Sequence, residues 1–377
     1  MVSNLFKDFF NSEKTGGFIL IFCTVVSLLI SNSSWGETYI GFWETSFQEH
    51  SITHWINDGL MAIFFLLIGL ELEREVYVGE LSNFKNALFP VVSAVGGVIV
   101  PACIFLLFNY NTPQQAGAGI PMATDIAFAI GMLALLGKRV PPSLKIFLTA
   151  LAVIDDLCAI IIIALFYTSS ISFFFLSLSL GIFVLLLILN RLKVNVLALY
   201  IIGGILMWYF MLHSGVHATL SGVLLAFAIP FQKGEEKSIS YRLQHQLHKP
   251  VAFIIVPLFA LANTCILFSQ DFQQQLFSKE ALGIILGLVM GKPLGILLFS
   301  GTAVLTGLCV LPHQLQWKHI FGAGLLAGIG FTMSIFITML AYTDALHINT
   351  GKMAILTASA IAAILGLGVL RVVLRKS

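Results

Sequence analysis

The sequence predicts an all-α polytopic membrane protein that crosses the bilayer about twelve times. Among its 377 residues, 58% are apolar and only 10% are charged, and the mean hydropathy is +0.97, which leaves too little polar surface to cover a soluble domain. The apolar runs are continuous over about 17–25 residues, a length that spans a bilayer as a helix, rather than alternating as in a barrel. If these runs are membrane spans, most of the Lys and Arg residues fall in the loops on one side of the membrane.

Twelve candidate spans follow one another in a single transmembrane domain that we expect to cover residues 1–377. Their approximate bounds are 15–31, 54–77, 88–108, 117–137, 142–167, 173–190, 195–211, 214–230, 248–268, 281–302, 319–341 and 351–371. The first is predicted to be an uncleaved helix and not a signal peptide. The acids Asp8 and Glu13 reduce the positive charge of the residues before it, and no small-residue cleavage site follows. The five cysteines form no CxxC pair and are interpreted as packing residues, so we expect no cofactor. A net charge of +2 gives no nucleic-acid signal.

The distribution of Lys and Arg predicts the orientation. With the N-terminus placed in the cytoplasm, only Lys279 and Lys352 fall in outer loops, and Lys292 lies within a span. All the other basic residues fall on the cytoplasmic side, which is the side that basic loops prefer. We therefore expect both termini in the cytoplasm and an even number of spans.

The segment at about 32–53 becomes an outer loop that contains no Lys or Arg. Within it, TYIGFWETSF, from Thr38 to Phe47, alternates as a short β-hairpin would, and a plain loop is the alternative. A hairpin at residues 33–50 would suit contact with a second subunit in a homodimer.

Two groups of three spans, at about 88–167 and 281–371, each have an interrupted middle member. The interruptions are Gly117, Gly119, Pro121 and Thr124-Asp125 in the first group, and Gly322, Gly324, Gly328, Gly330 and Thr332 in the second. Three helices reverse the orientation of a following copy, so the groups predict inverted repeats, and paired broken spans indicate a transporter's binding site. The alternative is that glycine is simply common in membrane helices.

Asp155 and Asp156 are adjacent near the middle of an apolar run that has no other charge between Ile146 and Phe166. Each charge there costs roughly 2.5–3.5 kcal/mol by insertion scales, and simple helix stabilisation needs only one acid. Neighbouring residues point about 100° apart around a helix, so the two carboxylates are expected to meet different partners.

Three further positions carry polar chemistry at membrane depth. Thr124-Asp125 lies at the first interruption, GIGFTMSIF at Gly328 to Phe336 supplies hydroxyls at the second, and Lys292 is the lone base of its span. An unpaired ammonium in hydrocarbon would lose its proton, so Lys292 is expected to pair with one of the three acids. Simple helix stabilisation by that ion pair is the alternative.

This set of hard oxygen ligands suits an alkali or alkaline-earth cation, or protons. A carboxylate that binds Na⁺ only after losing its proton makes the two ions compete, and alternating access then produces exchange. Because two acids are present, two protons are expected to move for each Na⁺, which would carry net charge across the membrane.

Six segments form a recognisable pattern: WINDGLMAIFFLLIGLE (Trp55 to Glu71), TDIAFAIGMLALLGKRVP (Thr124 to Pro141), LKIFLTALAVIDDLCAIIIIALFYT (Leu144 to Thr168), SGVHATLSGV (Ser214 to Val223), GKPLGI (Gly291 to Ile296) and GIGFTMSIFI (Gly328 to Ile337). Over nearly the whole chain they resemble the NhaA family of bacterial sodium/proton antiporters. The resemblance implies an inner-membrane protein with two crossed, broken helices at the midplane and a cytoplasmic funnel that ends at the aspartate pair. It also extends the expected cargo from Na⁺ and H⁺ to Li⁺.

The resemblance assigns roles to individual residues. It implies that Asp156 is the main Na⁺ ligand and that Asp155, its neighbour, pairs with Lys292. Asp125 would offset the positive ends of the broken helices, Lys292 would offset their negative ends, and Thr124 would be an accessory ligand or gate. The pattern of a cytoplasmic pH-sensing cluster is matched by Glu71, Arg74, Glu75, His217 and His245. Gln244 departs from it, because the family often has an acid there.

Two other functions are compatible with intramembrane acids. An intramembrane aspartyl protease would use Asp125 and Asp155 as a dyad, but such proteases have GxGD before one acid, and neither residue here follows that motif. A passive cation channel is the second alternative, and the sequence excludes it poorly. Proton-driven efflux of Na⁺ from vesicles would distinguish all three.

Overall fold

The computed structural model describes residues 2–47, 50–168, 171–231, 238–268 and 272–375, which are mostly helical. The α-helices are Val2–Ser31, Gly36–Glu44, Ile52–Trp55, Met61–Tyr77, Phe84–Asn109, Ile126–Ala134, Pro142–Phe166, Phe173–Arg191, Leu197–Leu212, Leu220–Ala228, Ile239–Pro250, Val256–Asn263, Phe272–Leu276, Lys279–Leu286, Lys292–Leu305, Trp317–Ala327, Phe331–Ala341 and Ala345–Val373. Short 3₁₀ helices lie at Glu80–Ser82, Pro113–Met122 and Gly137–Arg139, and π-helical turns at Ile56–Leu60, Val251–Ile255 and Gly287–Gly291. A helix satisfies its own backbone polar groups, as the bilayer interior requires, and the predicted all-α polytopic class is confirmed.

Within the described residues, seven helices are long and apolar enough to span a membrane, and up to ten spans result if each sharply bent pair counts as one. Two of those pairs are broken helices that meet at the candidate site. The first broken helix comprises Pro113–Met122 and Ile126–Ala134, bent by 40°, and the second comprises Trp317–Ala327 and Phe331–Ala341, bent by 49°. The predicted count of twelve is not confirmed, because Leu197–Leu212 and Leu220–Ala228 are shorter than a full span.

The predicted outer loop contains more helix than expected. Most of TYIGFWETSF is helical, in Gly36–Glu44, and the predicted hairpin is reduced to two-residue antiparallel strands, Ser46–Phe47 and His50–Ser51. Residues 48 and 49 lie outside the described residues. The alternating pattern gave a wrong prediction of strands here, because a short amphipathic helix also places its apolar residues at close intervals.

Two predicted boundaries were wrong. The last helix begins at Ala345 rather than near 351, so Lys352 lies inside it, with only 9% of its surface exposed, and not in an outer loop. The span expected at 248–268 runs from Ile239 to Asn263, because a polar helical segment continues into the apolar run. Its start is capped by Ser238, whose hydroxyl accepts a hydrogen bond from the Tyr241 N–H.

The two groups of three spans have the same order of elements. In each group a long helix is followed by a broken helix and then by a second long helix, which ends at Phe166 in the first group and at Val373 in the second. The two leading helices, Phe84–Asn109 and Lys279–Leu305, cross with their backbones in contact. A Cβ atom on Gly96 would lie 2.2 Å from the Gly295 carbonyl oxygen, and one on Gly295 would lie 2.1 Å from the Gly96 carbonyl oxygen. This contact is reciprocal, as a two-fold relation between the groups would make it.

Candidate ion-binding site

The adjacent acids lie in the helix Pro142–Phe166, which we call the aspartate helix. Both are buried, and they have different surroundings because successive side chains diverge around a helix. Oδ2 of Asp155 lies 2.6 Å from Nζ of Lys292 and accepts its hydrogen bond. Asp156 makes no such contact with any residue that the structure describes. The structure therefore separates an ion-paired carboxylate from one that is not.

Lys292 reaches the site from the helix Lys279–Leu305, which we call the lysine helix. Its side chain is completely buried. Besides Asp155, its ammonium donates a hydrogen bond to the carbonyl oxygen of Met122, where Pro113–Met122, the first segment of the first broken helix, ends. A cation at that position offsets the negative end of a helix segment. Lys292 thus links the aspartate helix, the lysine helix and the first break.

The two broken helices are bonded to each other at their breaks. The Asp125 N–H donates to the Ile329 carbonyl oxygen at 2.7 Å, and the Ser334 hydroxyl donates to the Ile120 carbonyl oxygen at 2.7 Å. Non-helical backbone at membrane depth is tolerated only where protein or a polar cavity satisfies it. Each break therefore supplies partners for the polar groups that the other exposes.

The carboxylate of Asp125 caps the start of two half-helices, Ile126–Ala134 and Phe331–Ala341, which follow the two breaks. Its Oδ1 accepts from the Phe128 N–H at 2.9 Å, in the first turn of Ile126–Ala134. Its Oδ2 accepts from the N–H of Thr332 at 3.1 Å and from the hydroxyl of Thr332 at 2.5 Å, in the first turn of Phe331–Ala341. A negative charge at two helix N-termini is favourable for both.

Thr124 lies between the aspartate helix and the second break. Its hydroxyl oxygen is 2.7 Å from Oδ2 of Asp155 and 2.8 Å from the carbonyl oxygen of Ala327. A hydroxyl has one proton to donate, so Thr124 donates to one of these two acceptors at a time. This arrangement lets the threonine change partners when the charge on Asp155 changes.

The carboxylate of Asp156 is the unusual feature of the site. The residue is 1% exposed, and among the described residues neither of its oxygens has a hydrogen-bond partner; Oδ1 of Asp155 also has none. Burying a charge without a partner is very costly, so such a carboxylate must be neutralised by a proton or a cation. The donor chemistry available is hard oxygen, which suits Na⁺ or Li⁺ as well as a proton.

A cleft extends from the breaks toward the far end of the helix Ile52–Tyr77. It is lined at one end by Asp125 and Thr332 and at the other by Glu71 and His248, with apolar side chains between them. The cleft therefore has polar side chains at both ends, and one end is formed by the residues that join the two breaks.

Four of the five predicted pH-response residues lie at the Glu71 end of this cleft. Arg74 and Glu75 pair at 3.6 Å, and Glu71 lies 3.9 Å from His248 and accepts a hydrogen bond from Gln244. His245 is exposed on the neighbouring turn. Gln244 therefore takes part in the cluster although it is not an acid, and His248 contacts Glu71 more directly than His245 does.

His217 does not lie with the other four, so their expected grouping is corrected. Its Nε2 lies 2.8 Å from the Tyr167 carbonyl oxygen, just beyond the end of the aspartate helix. Its electrostatic neighbour is Asp58, near the start of Ile52–Tyr77, whereas Glu71 lies near the end of that helix. The loop that carries His217 connects Leu197–Leu212 to Leu220–Ala228 and lies at the opposite face.

Thr332 is the site residue that sequence reasoning undervalued. It was expected only to supply a hydroxyl, and in the structure it makes two of the three hydrogen bonds to Asp125. The available signal was its position two residues after Gly330, in the first turn of a half-helix, where a carboxylate from another segment is stabilised.

Comparisons of the sequence with known proteins identify the family. The sequence profile of the Na⁺/H⁺ antiporter 1 family matches residues 7–370. The chain is 62% identical to the Na⁺/H⁺ antiporter NhaA 1 of Flavobacterium johnsoniae, over 99% of this chain and 98% of that protein. It is 60% identical to NhaA of Cytophaga hutchinsonii (100% and 97% covered) and 48% identical to NhaA of Vibrio cholerae (98% of each). By their names these proteins are antiporters, which are transporters and not enzymes. The chain therefore belongs to the Na⁺/H⁺ antiporter 1 family, the NhaA antiporters of bacteria.

Proposed function

We propose that this protein expels Na⁺, and also Li⁺, in exchange for protons, and that the ions compete for Asp155 and Asp156. The observation that carries this proposal is the buried Asp156 carboxylate, whose oxygens have no partner among the described residues, beside an Asp155–Lys292 ion pair. A proton and a cation are alternative ways to neutralise it, and both cannot be held at once. Alternating access to the two sides then converts this competition into exchange.

The exchange is electrogenic, with two protons for each Na⁺. When Na⁺ enters, Asp156 releases a proton. The second proton comes from Lys292, whose ammonium loses its carboxylate partner when Asp155 turns to the cation, or from Asp155 in a state in which the ion pair has opened and Asp155 has taken up a proton. Asp125 keeps its charge at the first turns that follow both breaks as this happens, and Thr124 can follow the change at Asp155.

Two inverted units, at about 88–167 and 281–371, would provide the alternating access. The reciprocal contact of Gly96 with Gly295 and the pair of bonded breaks support this assignment. The protein would lie in the bacterial inner membrane with both termini in the cytoplasm, which places the Glu71 end of the cleft on the cytoplasmic side. Glu71, Arg74, Glu75 and His245 are the residues we assign to the response to cytoplasmic pH, while His217 would act from the outer side. The outer segment at 33–50 is the proposed homodimer contact.

Purified protein in vesicles with an imposed pH difference tests the exchange directly. Protons that flow down the gradient should drive Na⁺ against its own gradient, and the same should hold for Li⁺. An aspartyl protease would move neither ion, and a passive channel would only dissipate a sodium gradient. The bonds of Asp125 to Thr332 and of Asp155 to Lys292 also leave these acids without the shared proton that a protease dyad needs.

A further inference from the structure

A polar cluster away from the aspartate pair joins the two three-helix groups. We call it the outer clamp, and it consists of Gln114, Glu280, Tyr342, Asp344 and His347. Glu280, in the first turn of the lysine helix, is only 5% exposed, and its Oε2 lies 2.8 Å from Nδ1 of His347. On the other side of the imidazole, Nε2 of His347 lies 3.1 Å from the amide nitrogen of Gln114. The clamp thus connects the outer segment of the first broken helix to the last helix.

These contacts define where the imidazole carries its proton. An amide nitrogen can only donate a hydrogen bond, so Nε2 of His347 must accept the one from Gln114. The single proton is then on Nδ1, which donates to Glu280. With the amide nitrogen of Gln114 facing the ring, both bonds of the clamp are those of a neutral imidazole.

A second proton would change the partners of the ring. A protonated Nε2 can no longer accept from Gln114, whereas Oδ2 of Asp344 lies 3.9 Å from that nitrogen and becomes its attractive neighbour. Glu280 and Asp344 both belong to the second group of spans, so the charged imidazole is held there and the side-chain link to Gln114 is lost.

The other groups around the ring do not replace this link. The segment Pro113–Met122 contains no charged residue. Burial raises the pKa of Tyr342, and the nearby Glu280 raises it further, so its hydroxyl stays protonated. It lies 3.0 Å from the Gln114 carbonyl oxygen, with the Glu280 carboxylate as its other acceptor, and it does not bond to the ring. Tyr167, which faces Tyr342, is likewise bonded to this segment, at the carbonyl oxygen of Ala116.

We propose that His347 is a proton-operated connection between the two groups of spans: neutral, it binds Gln114 to Glu280, and protonated, it releases Gln114 and turns to Asp344. This role rests on the proposed function in one respect, which is the orientation: the clamp lies on the outer face when both termini are in the cytoplasm, as proposed above. There the clamp senses protons on the side from which they are taken up during exchange, independently of the Glu71 end of the cleft.

Amide hydrogen exchange of the purified protein in nanodiscs tests this connection without any ion gradient. From about pH 7.5 to about pH 5.5, across the range in which a histidine titrates, protection of the amides at residues 114–116 should fall after correction for intrinsic exchange. The expected fall is about 2- to 10-fold, the effect of losing one hydrogen bond. His347→Gln should abolish this response, and His213→Gln, which changes another histidine of the proposed outer face, should retain it.

Gln114→Glu provides a sharper test, because it replaces the donor by an acceptor. A carboxylate at this position attracts the protonated Nε2, so protection of the amides at residues 114–116 should rise on acidification instead of falling. The proposal is overturned if the parent shows no pH response there, if His347→Gln responds like the parent, or if Gln114→Glu responds in the parent's direction. The experiment measures no transport. Its outcomes therefore test the connection through His347 even if the proposed function is wrong.

Discussion

At the scale of single residues, Asp156 differs from the other buried acids in its partners. The Asp125 carboxylate accepts hydrogen bonds from Phe128 and Thr332, and Asp155 is paired with Lys292, whereas the oxygens of Asp156 have no partner among the residues described. Its two neighbouring acids are thus held by protein contacts, and Asp156 is the acid that we propose exchanges a proton for a cation. The two adjacent acids have different contacts because the helix turns them toward different surroundings.

Replacing Asp156 by Asn is predicted to abolish Na⁺-driven proton exchange while the protein still folds. An amide is close in size to the carboxylate but neither titrates nor balances the charge of Na⁺. Asp155→Asn should also be severely impaired, since it removes the partner of Lys292. The assay is proton movement in vesicles on addition of Na⁺, and Glu44→Gln, at an exposed carboxylate, is the control that should remain active. Full exchange by well-folded Asp156→Asn would eliminate the assigned site.

Lys292→Ala is predicted to reduce thermal stability as well as transport. The substitution leaves Asp155 buried without its ion-pair partner, a loss that typically costs about 3–5 kcal/mol. Thermal unfolding of the purified variant measures the effect, and the loss should be smaller in acid, where Asp155 takes up a proton. Lys279→Ala is the matched control, because this lysine is exposed at the start of the same helix. A parental melting temperature for Lys292→Ala would contradict the ion pair.

At the scale of helices, the site depends on close approaches that only glycine permits. The leading helices of the two groups touch backbone to backbone at Gly96 and Gly295. In a membrane, small residues at such crossings let helices pack closely and gain van der Waals contact. Lys292 lies one turn before Gly295, so this crossing sets how far its ammonium extends toward Asp155 and Met122.

Gly295→Ala is therefore predicted to weaken both folding and exchange. The added Cβ would lie 2.1 Å from the Gly96 carbonyl oxygen, which is backbone and cannot move away without separating the helices. Gly301→Ala, on the same helix, is the matched control, because a Cβ there meets nothing within 4 Å. Thermal unfolding and vesicle transport should both distinguish the two variants. Equal stability of the two would mean that the crossing tolerates separation.

Much of this arrangement could be predicted from the sequence, because charge inside an apolar run is rare and costly. Asp155, Asp156 and Lys292 were recognisable for that reason, and the Gly- and Pro-rich interruptions marked both breaks. The sequence did not predict that Asp125 would cap two half-helices, one through Phe128 and the other through Thr332. That contact depends on which breaks cross in space. The position of His217 was also missed, because a resemblance in sequence does not report the face on which a loop lies.

At the scale of the whole molecule, the two bonded breaks, the ion pair and the unpartnered carboxylate form one unit between the two groups of spans. If two protons move for each Na⁺, net positive charge crosses the membrane in the direction of the protons. A membrane potential acts on that charge with about 2.3 kcal/mol per 100 mV, so it can drive exchange without any pH difference.

The most direct test records Na⁺ and internal pH together in vesicles with equal pH and equal Na⁺ on both faces. A potassium gradient with valinomycin then makes the interior negative. The proposed antiporter should expel Na⁺ while the interior becomes acidic, because two protons enter for each Na⁺ that leaves. Na⁺ entry under the same potential would indicate a passive channel, and Na⁺ movement that ignores the potential would indicate one proton per Na⁺; either result would contradict an electrogenic exchange at the aspartate pair.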